Sequence, residues 1–329
     1  MLQRLGLGHG ATVDVAFPEK AQKAVQVKGE SGKPESVPVF ASGDALSGEV
    51  VVTPPPGRKV EHGGIRVELL GQMELYGDRG SSSDFLSLAR ELEPPGEITE
   101  ASHLPFDFGV PELQYESYLG INAKVRYFLR VTVTKQYQSN VVRSFRFLVH
   151  NPSFEPELNR SIKMDVGIED CLHIEFEYEK SAFHLTDVVV GRIYFILTRI
   201  KIKTMELEIR RRETTGSGAN TMNESETIAK YEVMDGSPVR GEIIPVRLHL
   251  APYELTPTHN NVNNKFSVRY NLNLVLVDEE DRRYFKQQEI LLYRAPEEDS
   301  EKVDTYHAAS LAAPDFSNGN SNGDVEERR

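Results

Sequence analysis

The residues with the strongest potential for chemistry are His173, Glu175 and Glu177, which alternate along one short segment, and His184, which follows nearby. Imidazole nitrogens and carboxylate oxygens bind zinc, so a strand with three of them on one face could contribute to a metal site. The same alternation is typical of a strand with one solvated polar face and one buried face. We favour the solvated face, and the sequence predicts no metal, no cofactor and no catalytic residue.

Other catalytic signatures are missing from the sequence. It has no glycine-rich phosphate loop, no Cys-x-x-Cys, no His-Glu-x-x-His and no nucleophile elbow. The single cysteine, Cys171, lies between Asp170 and Leu172 and has no basic neighbour in sequence to activate it. We therefore predict that Cys171 is a small buried core residue and that the protein is not an enzyme.

Composition and charge narrow the class of protein further. Of the 329 residues, 39% are hydrophobic and 27% are charged, which is typical of a folded globular chain. The net charge of −12 disfavours binding to nucleic acid or directly to anionic membranes. No apolar run approaches the roughly 18 residues of a membrane helix, and residues 1–7 do not resemble a signal peptide. These features predict a cytoplasmic protein.

Both ends of the chain are predicted to lack stable structure. Residues 296–329 contain nine acidic and three basic residues and almost no aliphatic side chains. Such a segment cannot bury enough apolar surface to offset the entropy of ordering, so we predict a disordered acidic tail. Residues 1–10 are predicted to be a flexible N-terminus.

The dominant periodicity of the chain is two, which is typical of β-strands. Residues 266–274 alternate between apolar and polar side chains, 278–281 form a polar turn, and 282–293 run back as a partner strand. Residues 84–92 fit either a short helix or a strand. Because long amphipathic helical patterns are nearly absent, the sequence predicts an all-β sandwich or barrel. The same alternation predicts further strands at 65–69, 125–133, 145–149 and 173–178.

An internal repeat indicates two related domains. Val-Arg-Tyr at 125–127 recurs at 268–270, and a glycine before an apolar strand occurs at Gly48 and again at Gly191. Both offsets are 143 residues (268 − 125 and 191 − 48). The sequence therefore predicts one β-domain at 11–150, a linker at 151–155 and a second domain at 156–295.

Three polar segments in the second half of the chain are candidates for contacts with other molecules rather than for catalysis. Residues 213–226 read as a long polar loop, and 210–212 as a solvated basic strand end. In 231–242, Val233 and Met234 precede Asp-Gly and Ser-Pro turn signals. They fit equally a strand end tucked into the core or an exposed apolar loop tip that contacts another protein.

Three ungapped runs, 161–178, 226–236 and 265–289, resemble the vacuolar protein sorting-associated protein 26 family, and the likeness extends over residues 12–296. The resemblance implies an all-β, arrestin-like fold of two tandem β-sandwiches. It also implies a non-catalytic retromer subunit that binds the helical-solenoid scaffold subunit. With sorting nexins, such a subunit recruits cytosolic tails of transmembrane cargo on endosomes for return to the Golgi or plasma membrane. It would contact membranes only through these partners.

The resemblance also assigns the scaffold contact to specific residues. It maps onto the loop around Val233 and Met234, with Asp235 and Gly236 shaping the turn. This implies the exposed alternative for that segment.

A second contact, with cargo and a phosphoinositide-binding sorting nexin, maps near the domain junction. It corresponds to Met164, Val166, Gly167 and Ile168, which would pair with an extended cargo tail by strand addition, and to the aromatic Phe285.

The sequence departs from the family pattern at one position, and two alternative functions compete with this hypothesis. Ser42 stands where animal members carry an acidic residue for a PDZ-containing nexin, so we do not predict that partner. The first rival is an arrestin-type adaptor for receptor tails outside retromer, which would lack the scaffold contact. The second is a metal-dependent enzyme using His173, Glu175 and Glu177, which elemental analysis would test.

Overall fold

A computed structural model describes residues 11–18, 23–28, 33–76, 81–136, 139–168, 170–216 and 218–296. The predicted flexible N-terminus (1–10) and the predicted disordered tail, from residue 297 onward, lie outside the described residues. Within the described part of the chain, no helix is long and apolar enough to cross a membrane.

The described residues form strands and one 3-10 turn, Gly218–Asn220. The strands of the first half are β1 (Thr12–Ala16), β2 (Lys23–Lys28), β3 (Pro34–Ala41), β4 (Ser47–Thr53), β5 (Val60–His62), β6 (Ile65–Leu75), β7 (Ser81–Glu93), β8 (Gly96–Ile98), β9 (Ser102–Asp107), β10 (Tyr118–Leu119), β11 (Ala123–Val133) and β12 (Val141–His150). Those of the second half are β13 (Ile162–Ile168), β14 (Leu172–Tyr178), β15 (Ala182–His184), β16 (Val188–Thr198), β17 (Ile202–Thr215), β18 (Met222–Asp235), β19 (Ile243–His249), β20 (His259–Val262), β21 (Phe266–Asp278) and β22 (Arg283–Tyr293).

The first twelve strands build one β-sandwich. A three-stranded sheet has the order β1-β4-β9, and a seven-stranded sheet has the order β2-β3-β12-β11-β6-β7, with β10 paired to β11. Rings from both sheets meet between them: Phe40 contacts Phe147 edge-on at 5.3 Å, and Phe17 contacts both Phe40 and Phe106. Alternate residues of the central strands β6 and β11 are buried at this contact, because strand side chains project to opposite faces.

The last ten strands build a second sandwich of the same kind. One sheet has the order β13-β14-β16-β19, and the other has the order β15-β22-β21-β17-β18, with β20 paired to β21. Ile174 and Phe195 from the first sheet and Leu207 and Leu272 from the second are almost completely buried. The prediction of an all-β, arrestin-like fold with two tandem sandwiches is confirmed.

The strand predictions match the structure, and the ambiguous segment is resolved. Five of the six predicted strand segments lie within strands, and the sixth, 282–293, exceeds β22 by one residue. The turn predicted at 278–281 begins with the last residue of β21, and the Asp281 N–H donates to the Asp278 carbonyl. Residues 84–92 belong to β7, where they pair with β6 in an antiparallel ladder. That ladder satisfies the backbone groups that face β6, and Leu88 and Leu92 pack against the core, which explains why a weak helical pattern does not produce a helix.

The prediction of a long polar loop at 213–226 is wrong. β17 continues to Thr215 and β18 begins at Met222, so the two strands pair as far as Thr215 opposite Met222. Polar side chains join them: Arg211 forms an ion pair with Glu226 at 2.7 Å, and Thr214 donates to Asn223 at 2.8 Å. These cross-strand contacts replace the apolar alternation that would have identified the strands.

The repeated Val-Arg-Tyr segments occupy the same position in the two sandwiches. β11 lies between β12 and β6, and β21 lies between β22 and β17. The Tyr127 hydroxyl accepts from the Tyr115 N–H and donates to its carbonyl, at 3.2 and 2.7 Å. The Tyr270 hydroxyl accepts from the Thr256 N–H at 3.1 Å and bonds its hydroxyl at 2.9 Å. Each central tyrosine therefore fixes the segment that precedes its strand.

The repeated glycines also share one physical role. A Cβ at Gly48 would lie 2.6 Å from the Ala16 carbonyl oxygen and 2.8 Å from the Phe106 ring. A Cβ at Gly191 would lie 2.6 Å from the Glu177 carbonyl oxygen and 2.7 Å from the Tyr178 ring. In both sandwiches a neighbouring strand and an aromatic ring occupy the space that any side chain would need.

We expect Gly48→Ala and Gly191→Ala each to lower the free energy of unfolding by about 1–3 kcal/mol, because backbone and ring must move to admit the methyl group. Urea unfolding followed by circular dichroism measures the change. Gly167→Ala is the control, because its Cβ would meet nothing closer than the Leu172 carbonyl oxygen at 4.0 Å. Equal stability of all three variants and the parent would contradict the role assigned to Gly48 and Gly191.

Candidate functional site

The alternating residues of β14 lie on two opposite faces of the strand. Ile174 and Phe176 are buried, while His173, Glu175 and Glu177 lie on the opposite face with partial or full exposure. His173 Nε2 lies 3.6 Å from Glu175 Oε1. Across the described residues, no group of three or more His, Cys, Asp or Glu side chains is placed to hold a metal ion.

His184 is separated from these residues by the architecture. It is buried on β15, in the opposite sheet, where its Nδ1 bonds the Thr186 hydroxyl at 2.9 Å. The structure therefore does not bring His184 together with the polar face of β14.

Cys171 is not the buried core residue that we predicted. It is half-buried in the turn between β13 and β14, and Asp170, just before it, has a left-handed φ of 55°. The Cys171 carbonyl accepts from the Arg199 N–H at 2.8 Å. Its side chain escapes full burial because the tight turn projects from the end of the sheet.

Val233 and Met234 lie at the end of β18 rather than at an exposed loop tip. Both are half-buried and pack against the core, whereas Asp235 is exposed. Gly236 begins the turn with a φ of 114°, which favours glycine, and its N–H donates to the Lys203 carbonyl at 2.7 Å. The strand-end alternative describes these side chains better than the loop-tip alternative.

The turn that follows presents a more exposed apolar surface. The Val239 residue is 67% exposed, and the Ile243 residue, at the start of β19, is 55% exposed opposite Tyr194. Backbone hydrogen bonds hold this turn to β16: the Gly241 N–H donates to the Phe195 carbonyl at 2.7 Å, and the Phe195 N–H donates to the Glu242 carbonyl at 3.0 Å. The sequence contained a signal for this exposed surface, because Val239 directly follows the Ser-Pro turn.

The predicted cargo strand, β13, is an edge strand of its sheet. Within the described chain it pairs with β14 alone, so its other edge has no strand beside it. Met164, Val166 and Ile168 are half-buried and pack against the core, while Gly167 is exposed. A strand edge with an apolar inner face can accept another extended chain.

Phe285 belongs to β22, in the other sheet of the same sandwich, and is 66% exposed. The turn before it is held by Asp278, whose buried carboxylate accepts from Arg282 Nε at 2.7 Å and the Tyr284 hydroxyl at 3.0 Å. Burial alone would raise the pKa of Asp278, but bonds from Arg282, Tyr284 and Glu280 lower it to about 2. The ionised carboxylate of Asp278 therefore stabilises the turn that precedes the exposed ring of Phe285.

A buried carboxylate joins the two sandwiches, and sequence reasoning missed it. Glu213 of β17 is 2% exposed and accepts from the Tyr118 hydroxyl at 2.8 Å, the Ile121 N–H at 3.1 Å and the Asn122 N–H. A Cβ at Gly120 would overlap this carboxylate. Burial and the adjacent anion raise the pKa of Tyr118, so its hydroxyl stays protonated and donates.

Aromatic rings and an ion pair extend this contact. Tyr118 stacks on Phe266 with ring centroids 5.7 Å apart, and the Arg211 guanidinium lies over its ring at 5.9 Å. Glu116, 4% exposed, accepts from the Arg294 guanidinium at 2.7 Å. Donors and acceptors from opposite sandwiches are therefore matched across the junction.

The fold and these surfaces define a tandem β-sandwich protein that presents exposed apolar side chains and, within the described residues, an edge strand with one unpaired side. A family model for vacuolar protein sorting-associated protein 26 matches residues 7–281. The chain belongs to this family, and so it has a non-catalytic role in vacuolar protein sorting.

Individual relatives match over nearly their whole length. The vacuolar protein sorting-associated protein 26B of Arabidopsis thaliana is 60% identical over 289 residues, which cover 88% of this chain and 95% of that protein. The 26B proteins of Xenopus tropicalis and Homo sapiens are 53% and 52% identical, over 94% and 97% of this chain and 92% and 95% of theirs.

We expect Glu213→Gln to lower the free energy of unfolding by about 1–3 kcal/mol, because its amide group would face donors that need an acceptor. Tyr118→Phe removes only one donor and should cost less. Glu224→Gln is the control: Glu224 is exposed and lies directly opposite Glu213 on β18, so its loss should stay within about 0.5 kcal/mol. Urea unfolding compares the three, and indistinguishable Glu213 and Glu224 variants would contradict the assigned contact.

Proposed function

We propose that this chain is the arrestin-like subunit of a retromer complex. In this role it binds the helical-solenoid scaffold subunit and, with sorting nexins, recruits cytosolic tails of transmembrane cargo. The observation that carries the proposal is the rigid, exposed apolar surface that directly follows the predicted scaffold contact. Membership of the vacuolar protein sorting-associated protein 26 family supports the same function.

The scaffold surface is proposed to centre on the turn after β18. Val239 and Ile243 are the exposed anchors, and Asp235 and Gly236 shape the turn that presents them. Val233 and Met234 form the half-buried base of this surface. Full burial of one such exposed side chain at an interface contributes about 1.5–3 kcal/mol, so two anchors are enough to dominate binding. The backbone hydrogen bonds of the turn reduce the entropy lost on binding.

The cargo and nexin surface is proposed to include β13 and, on the other sheet of the same sandwich, the exposed Phe285. The free edge of β13 supplies unpaired backbone groups for an extended cargo tail. The inward-facing Met164, Val166 and Ile168 offer an apolar lining for one of its side chains. Gly167 keeps the outer face of the strand open to the incoming chain.

We also propose how the domains of the protein are divided and where in the cell it acts. The linker of 151–155 divides the sandwiches at 11–150 and 156–295, which agrees with the absence of a strand among the described residues 151–161. The protein acts on the cytosolic face of endosomes and reaches the membrane through its partners.

We expect Val239→Asp to abolish binding of the scaffold subunit in a pull-down, because a carboxylate would have to be desolvated at the centre of an apolar contact. Its melting temperature should not change, since Val239 is exposed. Val110→Asp is the matched control, because Val110 is 64% exposed on the other sandwich and should leave binding intact. Retained binding by the Val239 variant would exclude this surface and would favour an adaptor outside retromer.

The double change Val233→Asp with Met234→Asn is also expected to abolish scaffold binding. Because both side chains pack against the core, it should lower the melting temperature as well. Val239→Asp therefore separates loss of contact from loss of fold.

We expect Phe285→Ala to weaken binding of a cargo-tail peptide in the presence of a sorting nexin at least tenfold, which corresponds to the ~1.4 kcal/mol that loss of most of one buried aromatic contact easily reaches. Isothermal titration calorimetry measures the affinity. Lys286→Ala, an exposed change at the next position of β22, is the control. Full-strength binding by the Phe285 variant would remove this residue from the site.

A further inference from the structure

The basic run at 210–212 belongs to neither of the binding surfaces proposed above. It lies within β17 rather than at a strand end, so that part of its sequence interpretation is wrong. Arg211 faces the first sandwich, where its guanidinium lies over the Tyr118 ring at 5.9 Å, and it pairs with Glu226 at 2.7 Å. Arg210 and Arg212 alternate with Arg211 along the strand, so they lie on the opposite, outer face of the sheet.

A third arginine from the neighbouring strand joins these two. Arg269 of β21 lies directly opposite Arg212, and its chain neighbours Val268 and Tyr270 are buried in the core, so Arg269 projects outward. Arg210 lies two residues from Arg212 on the same face. Paired strands are roughly 5 Å apart and alternate residues of one strand are about 7 Å apart, so the three residues are close neighbours. We call Arg210, Arg212 and Arg269 the arginine cluster.

Most of the positive charge of the arginine cluster is not neutralised. Across the described ranges, its one ion pair joins Arg269 to Glu289 at 3.3 Å. The Arg212 guanidinium donates to the Asn223 side-chain oxygen at 3.1 Å, and Thr214 donates to the same oxygen at 2.8 Å. This amide orients the guanidinium without neutralising it, because an amide carries no charge.

The carboxylate nearest to Arg210 along its own strand face is engaged elsewhere. Glu208 forms an ion pair with Lys230 at 3.0 Å and accepts from the Asn273 amide at 2.9 Å. Three arginines less one glutamate, Glu289, leave the cluster with a charge of about +2. The whole chain carries a net charge of −12, so this face is a local exception.

The cluster is unfavourable for the free fold and favourable for an anion. Like charges directly opposite each other on paired strands are destabilising, and Arg212 and Arg269 are such a pair. An anion between the guanidinium groups would remove this repulsion. Phosphate fits best, because the planar guanidinium fork binds its oxygens in pairs. The exposed hydroxyls of Ser225, opposite Arg212, and Thr227, opposite Arg210, are further donors beside the cluster.

The surroundings decide which kind of phosphate can approach. Polybasic segments that bind anionic lipid contain about four to eight lysines and arginines, and this cluster has fewer. A bilayer or a nucleic acid would also bring many negative charges against a chain with a net charge of −12. One phosphorylated side chain brings only its own charge, and Leu291, 37% exposed on the same face of β22 as Glu289, can contact an apolar residue beside it.

We propose that the arginine cluster binds a phosphoserine or phosphothreonine in an extended segment of a partner protein. The phosphate lies between Arg210, Arg212 and Arg269, and an apolar residue next to it contacts Leu291. Arginine clusters on rigid scaffolds recognise phosphorylated segments in this way. The site is additional to the scaffold and cargo surfaces, and it makes one association of this protein dependent on phosphorylation of the partner.

The test uses the full-length chain and the peptide Ac-Gly-Ala-pThr-Leu-Ala-Gly-NH2, with two matched peptides that carry Thr or Glu in place of pThr. Protein-detected NMR titration at constant ionic strength measures the three affinities. We expect the phosphopeptide to bind at least about tenfold more tightly than the Thr peptide and to shift the signals of Arg210, Arg212 and Arg269. The Glu peptide should bind less tightly than the phosphopeptide. Equal affinities, shifts confined to other regions, or no binding would overturn the proposal.

Variants of one arginine separate the site from a general effect of charge. Arg212→Gln should weaken phosphopeptide binding at least about fivefold, and Arg212→Lys should weaken it less, because the charge stays and the fork is lost. Arg247→Gln is the matched control, since Arg247 is exposed on β19 in the other sheet. An equal loss in the Arg212→Gln and Arg247→Gln variants would overturn the proposal.

The melting temperature gives an independent readout. Arg212→Gln removes one member of a like-charge pair, so the melting temperature of the free protein should stay the same or rise. The phosphopeptide should raise the melting temperature of the parent and not that of this variant. A lower melting temperature in the free variant would show that Arg212 stabilises the fold and would contradict the proposed role.

A lipid headgroup is the alternative source of phosphate, and vesicle flotation tests it. Vesicles of phosphatidylcholine and phosphatidylserine in equal parts should not bind the full-length chain. Binding to these vesicles that is lost in the Arg212→Gln variant would assign the cluster to a membrane surface and overturn the proposal. Failure of the scaffold or cargo predictions would leave this proposal unaffected, because none of its residues belongs to those surfaces.

Discussion

The arrangement of the two sandwiches depends on one buried carboxylate. Glu213 reaches from β17 into the first sandwich, where a hydroxyl and two backbone N–H groups donate hydrogen bonds to its carboxylate. A carboxylate buried without such donors would cost several kcal/mol, so it is tolerated only in the geometry that supplies all of them. Gly120 is part of the same constraint, because only a residue without Cβ leaves room for the carboxylate. Apolar contact alone would allow the sandwiches to slide, whereas these directional bonds specify one relative position.

This constraint also fixes how the proposed binding surfaces relate to the rest of the molecule. The turn around Val239, the edge of β13 and Phe285 all belong to the second sandwich, which also carries Glu213. Scaffold and cargo contacts would therefore sit on one unit, with their spacing set by β-sheet hydrogen bonds. The first sandwich is connected to that unit through the junction. The ion pair between Glu116 and Arg294 and a cavity beside it lie at this junction, where the position of the first sandwich is set.

The sequence was informative wherever one face of a strand is buried. Alternation revealed β21, and with it the partner strand β22, because a strand that covers a core must place apolar side chains at every second position. The internal repeat separately revealed the paired glycines. It failed at 213–226, where both strands carry polar side chains on both faces and pair through ion pairs and hydrogen bonds instead. Glu213 could not be recognised, because its partners lie more than 90 residues away and local pattern carries no trace of them. Val233 and Met234 were ambiguous for a physical reason: half-buried side chains at a strand end satisfy both interpretations.

The contrast between two edge strands of the second sandwich, β18 and β13, bears on self-association. β18 spans 14 residues at one sheet edge, and it carries charged side chains at Glu224, Glu226, Lys230 and Glu232. Charges of this kind discourage pairing with another copy of the same strand. β13, in the other sheet, has an apolar inner face and only two charged residues among its seven. At high concentration, and without partners, chains would therefore associate through β13 more readily than through β18, so an edge suited to receive a ligand is also a liability for aggregation.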